Sequence, residues 1–213
     1  MSEKTLASIL WLVLAAHLVN PSARALAKDR HAGSSHLRVS VFNDAGLAEG
    51  KLIRAETVAS TVFARSGVLI EWLSCGRHNE NRKEQAECAE ANLRHLQIRI
   101  LFTSLNLKPS TFGISYLDGD GTGCRADVFY AGLAHVEESG WPDSATLLGM
   151  VMAHELGHLL LGVNSHSSTG IMRPVWNDAD FVAASKGNLY FTEAQGQILR
   201  TRLESGFTLV PGK

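Results

Sequence analysis

The sequence lacks a dominant charge of either sign. Its 213 residues contain 20 Lys and Arg against 21 Asp and Glu, which gives a formal net charge of −1 at pH 7. Such a balance produces no strong field toward phosphate backbones or anionic lipid surfaces. Nucleic acid is therefore not an expected partner.

The N-terminal apolar run is too short for a membrane span. It extends from Leu6 to Val19, about 14 residues, whereas a spanning helix needs about 20. Ala23-Arg24-Ala25 follows it with small residues at the signal peptidase spacing, and Ala25-Leu26-Ala27 is a second choice. We predict a signal peptide over residues 1–25, export to the periplasm or the medium, and no stable membrane insertion after cleavage. No Cys stands directly after the apolar run, where a lipoprotein would carry its lipid-bearing cysteine, so a lipoprotein is not indicated.

Cysteine is scarce, with only Cys75, Cys88 and Cys124. An oxidising compartment permits a disulfide, and the odd number leaves one thiol over. We favour a Cys75–Cys88 bond because these residues bracket a polar, charged stretch that has little hydrophobic reason to order itself. A bond from either of them to Cys124 remains open.

Internal repeats and low-complexity linkers are also missing from the sequence. Hydrophobic residues make up 45% of the chain and charged residues 19%, an ordinary globular balance. The length suits one domain with a substantial core. We predict a single domain over residues 36–210.

The periodicity of apolar residues predicts five strands and three helices. The strands are expected at Leu37–Phe42, Val68–Leu73, Leu96–Phe102, Phe112–Asp118 and Ala126–Tyr130. The helices are expected at Leu52–Ser66, at Ala145–Leu161, which is apolar enough to be buried on most sides, and after Thr192, whose hydroxyl can cap while Gln195 reaches back as its partner. This order predicts an α/β (α+β) domain with a mixed sheet.

The segment His154-Glu155-Leu156-Gly157-His158 is the sharpest motif in the chain. On a helix, positions i and i+4 lie one turn apart on one face, so both imidazoles can reach one Zn²⁺. Glu155 then projects beside them toward a water that zinc acidifies, and can act as general base. An unpaired charged group on a buried helix would otherwise be costly. We predict a zinc site with His154 and His158 as ligands.

A catalytic zinc usually has three protein ligands and one open position, so a third ligand is expected from outside the helix. Gly162 ends the helix and His166 follows in the next loop. We predict His166 as the third ligand. Carboxylates further along remain alternatives, namely Asp178, Asp180 and Glu193.

Together with Gly170-Ile171-Met172, these residues resemble the extended zinc motif and Met-turn of the metzincin metallopeptidases. That motif places its glycine three residues and its third His six residues after the second His. Here Gly162 and His166 follow His158 by four and eight residues. The resemblance implies a mostly parallel sheet of about five strands with an antiparallel edge strand near Phe112–Asp118, above a buried zinc-bearing helix, and a C-terminal helix. It further implies that Met172 lies beneath the zinc and that the pocket wall is built by Pro174, Val175 and Trp176.

The resemblance implies a zinc-dependent endopeptidase with one Zn²⁺ per chain and a peptide or protein as substrate, and the signal pattern implies that it is secreted. The alternative is a secreted zinc-binding protein of the same fold without turnover. Glu155 argues against that alternative, because a structural zinc site is normally closed by four ligands and has no use for a carboxylate beside an open position.

Overall fold

The computed structural model describes residues 35–76, 86–88, 95–103, 107–108, 111–140 and 142–205. All of them fall in one compact unit that begins at Ser34. The signal peptide predicted for residues 1–25 lies outside these ranges. So do residues 206–210 of the predicted domain and most of the segment between Cys75 and Cys88.

A five-stranded sheet forms one layer of this unit, in the order β2-β1-β3-β5-β4. The first four strands in this order pair in parallel, and β4 pairs with β5 in the antiparallel sense. The strands are β1 at Ser35–Asn43, β2 at Val68–Ser74, β3 at Leu96–Leu101, β4 at Gly113–Tyr116 and β5 at Arg125–Phe129.

The register of the strands brings buried apolar residues into rows across one face of the sheet. Val41 of β1 is the partner of Ile98 of β3, which in turn is the partner of Ala126 of β5. Because side chains alternate along a strand, one register sets a whole face. The residues of these rows belong to the hydrophobic core.

Five named helices accompany the sheet in the described part of the chain. They are α1 at Glu49–Ala64, α2 at Tyr130–Glu138, α3 at Ser144–Leu161, α4 at Asp178–Ser185 and α5 at Glu193–Glu204. Helix α3 lies at the centre, where α1, α2, α4, α5 and strands β3, β4 and β5 all pack against it.

Helix α3 begins at the N-cap residue Asp143, whose carboxylate accepts the amides of Ala145 and Thr146 at 3.1 and 3.2 Å. Fourteen of its 18 residues are buried, which confirms that it is a core helix. Among the described residues it is the one helix with the length and hydropathy of a membrane span, and 78% of that window is buried inside the protein.

The predicted fold class is confirmed: the sheet is mixed and mostly parallel, with one antiparallel edge pair. The capping of α5 is confirmed as well, since the Thr192 hydroxyl accepts the Gln195 amide while the Gln195 side chain accepts the Thr192 amide. The bounds of each of the five described strands agree with the predicted bounds to within a few residues.

Two helices are absent from the sequence prediction. Tyr130, predicted as the end of a strand, is the first residue of α2, and its hydroxyl bonds the Ser144 hydroxyl at 3.0 Å. Helix α4, in a region where no helix is predicted, begins with a capping box between Asn177 and Asp180. Phe102, predicted as the last residue of the third strand, lies beyond its end at Leu101 and is 59% exposed.

A disulfide joins Cys75 and Cys88, the pairing that the sequence favours, and Cys124 is a free thiol. Cys75 follows β2 and is buried with Leu73 in a small apolar cluster against Phe42. The bond ties the segment after β2 to the edge of the sheet.

Candidate metal centre

Three histidines converge at the C-terminal half of α3. His154 and His158 lie one turn apart on the helix, and His166 comes from the loop after it. One ring nitrogen from each lies within 4.8 Å of the other two. The ring centroids of His158 are 4.7 Å from those of both His154 and His166. The structure thus brings together the three residues predicted as ligands.

The Nδ1 atoms of the two helical histidines each contact an oxygen atom. Nδ1 of His154 lies 2.7 Å from the backbone oxygen of Ile171, which can only accept, so this nitrogen carries the proton. Nδ1 of His158 lies 2.7 Å from the hydroxyl of Ser165. The carbonyl contact fixes the tautomer of His154 and leaves its Nε2 free to bind a metal, and the hydroxyl contact orients the ring of His158.

The Nε2 atoms of the same two residues lie close to each other. Nε2 of His154 and Nε2 of His158 are 3.0 Å apart. Two lone pairs at this distance repel unless a proton or a cation lies between them. The donor set and its spacing fit a zinc ion, which prefers imidazole nitrogen in a tetrahedral arrangement.

The protein environment favours neutral imidazoles at this position. Burial lowers the pKa of His154 to about 4 and that of His158 to about 3, and it also lowers the pKa of His166. A neutral imidazole is the form that binds metal, because the lone pair is then available.

Met172 is fully buried and packs against helix α3. Its sulfur is so close to the helix that a Cβ at Gly157 would lie 2.6 Å from it. Gly157 is the residue just before His158, so the turn that follows the loop packs directly against the helix face next to the ligands.

Glu155 is buried beside the histidines, and its carboxylate is turned toward the edge strand β4. The hydroxyl of Ser115 donates to its Oε2 at 2.7 Å, and a Cβ at Gly113 would lie 2.5 Å from its Oε1. The absence of a side chain at Gly113 therefore makes room for the carboxylate. Burial raises the pKa of Glu155 to about 7, against the opposing effect of the Ser115 hydrogen bond.

The loop that carries His166 has an uncommon backbone. Gly162 has φ 82° and ψ −160°, a combination open almost exclusively to glycine, and Asn164 has φ 58°. At Gly162 the positive φ is combined with an extended ψ, which is the mirror image of the β region.

The carboxylates that were alternatives for the third ligand lie elsewhere. Asp180 accepts the Asn177 amide at 2.9 Å and pairs with Arg173 at 3.0 Å. Asp178 and Glu193 are exposed at the starts of α4 and α5. Among the described residues, the cluster of metal-ligand type consists of the three histidines.

The predicted pocket residues divide into two groups. The Trp176 ring is 6.0 Å from the His154 ring, and its Nε1 donates to the oxygen of Ile171 that also accepts from His154. Pro174 and Val175 are exposed. Their role as a pocket wall stays a prediction.

Four residues of this site were missed as functional by sequence reasoning: Gly113, Ser115, Ser165 and Gln195. Ser115 lies in the predicted edge strand, but nothing in the neighbouring sequence pointed to its contact with Glu155. Gln195 was predicted only as a helix-capping residue, yet its side chain also bonds the histidine loop. No short-range pattern signals such contacts.

A mixed α/β sheet thus packs against a helix that presents two histidines, and a third histidine comes from the following loop. Among solved structures, the chain is similar to metalloproteinase-II from Bacteroides fragilis, with a TM-score of 0.50 and 11% identity over 79% of this chain and 53% of that one. The chain thus spans about half the length of that protein. It is also similar to archaemetzincin from Methanopyrus kandleri, with a TM-score of 0.49 and 14% identity over 80% of this chain and 97% of that one.

No protein-family model matches the sequence, and no curated protein matches it. At 11% identity, the likeness to the Bacteroides fragilis structure concerns the fold alone.

Proposed function

We propose that the protein is a secreted zinc-dependent endopeptidase. The observation that carries the proposal is the convergence of three neutral imidazoles, within 4.8 Å of one another, beside a buried carboxylate. A structural zinc site would be closed by a fourth protein ligand, whereas three histidines leave a position open to solvent and substrate.

The proposed ligands are His154, His158 and His166, for one Zn²⁺ per chain. When bound, the ion supplies Lewis-acid chemistry that activates water at neutral pH. Ile171 and Ser165 orient the two helical imidazoles through Nδ1. Met172 supports the helix from below, as the family resemblance implies.

Glu155 is the proposed general base. A base works best when its pKa lies near the operating pH, and burial raises that of Glu155 to about 7. Ser115 donates to Oε2 and so orients the carboxylate, which takes a proton from the attacking water and passes it to the leaving amine. Glu155 need not contact the metal in this role.

The edge strand β4 is the proposed substrate-binding strand. It pairs with β5 on one side only and forms one end of the sheet in the described part of the chain. An extended peptide can add to such an edge through backbone hydrogen bonds. Glu155 contacts the same strand, so a peptide bound there lies next to the base.

The proposed export of the protein rests on the N-terminal signal pattern and on the Cys75–Cys88 disulfide. Disulfides persist in oxidising compartments and are rare in the cytosol. We therefore propose that the mature protein acts in the periplasm or outside the cell.

The test is turnover of casein or a peptide library by the purified mature protein. We expect hydrolysis that is lost on treatment with a chelator, restored by Zn²⁺, and lost again in Glu155→Gln. A protein that binds one zinc ion and hydrolyses no peptide would instead be a zinc-binding protein of the same fold.

A further inference from the structure

The third histidine of the site is exposed, so packing does not hold it in place. It lies in the loop between Gly162 and Met172, between Ser165 and Ser167. In a mobile loop an imidazole would lose conformational entropy on binding a metal, which weakens the site. A preorganised ligand at this position therefore requires contacts that restrain the backbone on either side of His166.

The Ser167 amide restrains one side of the loop by donating to the Met172 oxygen at 3.0 Å. The side chain of Gln195 adds a second restraint, from helix α5. Its Nε2 donates to the backbone oxygen of Ser165 at 3.1 Å and to the hydroxyl of Ser167 at 3.2 Å. The two contacts fall on the residues immediately before and after His166. Gln195 is only 9% exposed, so water competes little for these bonds.

The orientation of the Gln195 amide is determined by its third contact. Oε1 accepts the backbone amide of Thr192 at 3.0 Å, so the oxygen must face that amide and the NH₂ group must face the loop. One side chain therefore serves two purposes: it completes the capping box of α5 and it holds the loop.

Both serines are committed to these contacts in a consistent way. The Ser167 hydroxyl donates to the oxygen of Thr169 at 2.7 Å, which leaves its lone pairs to accept from Gln195. Ser165 accepts from Gln195 through its backbone oxygen, while its hydroxyl bonds Nδ1 of His158. The restraint therefore reaches two of the three histidines.

We propose that Gln195 is the positioning residue for the third metal ligand, acting through Ser165 and Ser167. The inference rests on the proposed zinc site and adds a residue on a separate helix to the determinants of its metal affinity. Residues that orient ligands from outside the coordination sphere commonly change metal affinity by about 10- to 100-fold when they are replaced.

The capping and restraining roles of Gln195 can be separated by substitution. Gln195→Glu keeps an oxygen for the Thr192 amide but loses both donors to the loop. Gln195→Met has similar length and loses all three bonds without adding charge. Thr192→Ala is the matched control, because it removes the hydroxyl that caps α5 and leaves the contacts from Gln195 to the loop in place.

The measurement is the affinity of the purified mature protein for Zn²⁺, by competition with a chromophoric chelator. We expect both Gln195 variants to bind Zn²⁺ about 10- to 100-fold more weakly than wild type. Thr192→Ala should lower the melting temperature of the metal-free protein and leave the affinity unchanged. Wild-type affinity in both Gln195 variants, or an equal loss in Thr192→Ala, would overturn the proposal.

A double-mutant cycle with His166→Ala tests whether Gln195 acts through the ligand. In that background, Gln195→Met should lower the affinity much less than in the wild type, because the restrained imidazole is already gone. The visible spectrum of the Co²⁺-loaded Gln195→Met protein should shift toward that of His166→Ala. Fully additive losses and an unchanged spectrum would show that Gln195 acts only on general stability.

These measurements are independent of peptide hydrolysis. A wild-type protein that binds Zn²⁺ without turnover would refute the proposed peptidase and leave the role of Gln195 testable by affinity. Active Gln195 variants with wild-type affinity would refute the positioning role and leave the peptidase intact. A wild type that binds no Zn²⁺ would overturn the metal site itself and with it the inference.

Discussion

The ligands on helix α3 and the ligand that follows the helix are held by different forces. His154 and His158 stand on a helix that is buried on almost every side and packed against the sheet and the surrounding helices. His166 stands on an exposed loop whose backbone is held by a hydrogen bond from the Ser167 amide to the Met172 oxygen and by the Gln195 side chain of α5. Packing defines the first pair, and polar contacts between distant segments define the third residue.

This difference teaches where the site is rigid and where it can adjust. A close-packed helix has one arrangement, so its two imidazoles are preorganised before a metal arrives. A loop held by a few hydrogen bonds opens at lower free energy than a core helix. We expect substitutions on the helix to abolish metal binding and substitutions around the loop to weaken it by degrees.

The largest effect is expected from the helical ligands. His154→Ala or His158→Ala should leave the protein without stoichiometric zinc, because each removes one member of the preorganised helical pair on which metal binding depends. Metal analysis of the purified variants measures this. His135→Ala, an exposed histidine on α2, is the control and should retain one zinc ion. Full zinc content in His158→Ala would refute the assignment.

Glu155→Gln should keep the zinc and lower kcat by about 10²- to 10⁴-fold, since the amide fills the same space but cannot take a proton. Steady-state kinetics and metal content decide it together. Glu56→Gln is the matched control, because burial also raises the pKa of Glu56 to about 7 and Glu56 lies on α1. Undiminished hydrolysis by Glu155→Gln would exclude the general-base role.

The packing of α3 can be tested without touching a ligand. Leu148→Ala should lower the free energy of unfolding by about 2–5 kcal/mol, because Leu148 is fully buried and the change leaves a cavity. Asn164→Gly, in the loop, should change stability little, since glycine accepts the positive φ at this position. Chemical denaturation compares the two. Equal losses of unfolding free energy in the two variants would contradict the proposed difference in rigidity between the helix and the loop.

Ser115→Ala should reduce kcat about tenfold at unchanged zinc affinity, because it removes the hydrogen bond that orients Glu155. Ser139→Ala provides a control, as its hydroxyl bonds only its own helix. Kinetics at saturating peptide measure the effect. A drop in zinc content rather than in rate would place Ser115 among residues that support the metal.

The smallest expected effect is a pH dependence that arises on α1, the helix packed against α3. Burial raises the pKa of Glu56 from its usual 4.5 to about 7. Between these values the folded state keeps a proton that the unfolded state has lost, so this group's contribution to stability decreases as pH rises from about 4.5 through 7. After allowance for partial exposure, wild type should lose about 1–2 kcal/mol relative to Glu56→Gln across this window.

Urea denaturation of both proteins at pH 5 and pH 8 measures that difference. A wild type that gains stability relative to Glu56→Gln as pH rises would contradict the assigned direction.

Much of the fold could be predicted because its signals are local. Alternating residues predicted β1 and β3, and dense apolar residues predicted a buried α3. Helix α2 was missed because its start, Tyr130, continues the apolar run of β5. Its hydroxyl contact to Ser144, which joins α2 to the start of α3, has no counterpart in the local pattern.

The histidine pair and its intervening acid were determined by the sequence itself, because a spacing of four residues on any helix brings two side chains onto one face. Only the tertiary structure decided that His166, rather than Asp180, lies beside the histidine pair. In the folded protein the Asp180 carboxylate accepts the Asn177 amide and pairs with Arg173. It also decided that Ser115 supports Glu155 and that Gln195 holds the loop. Hydrogen bonds between segments that are remote in the chain depend on register and helix packing, and these are set only when the whole core forms.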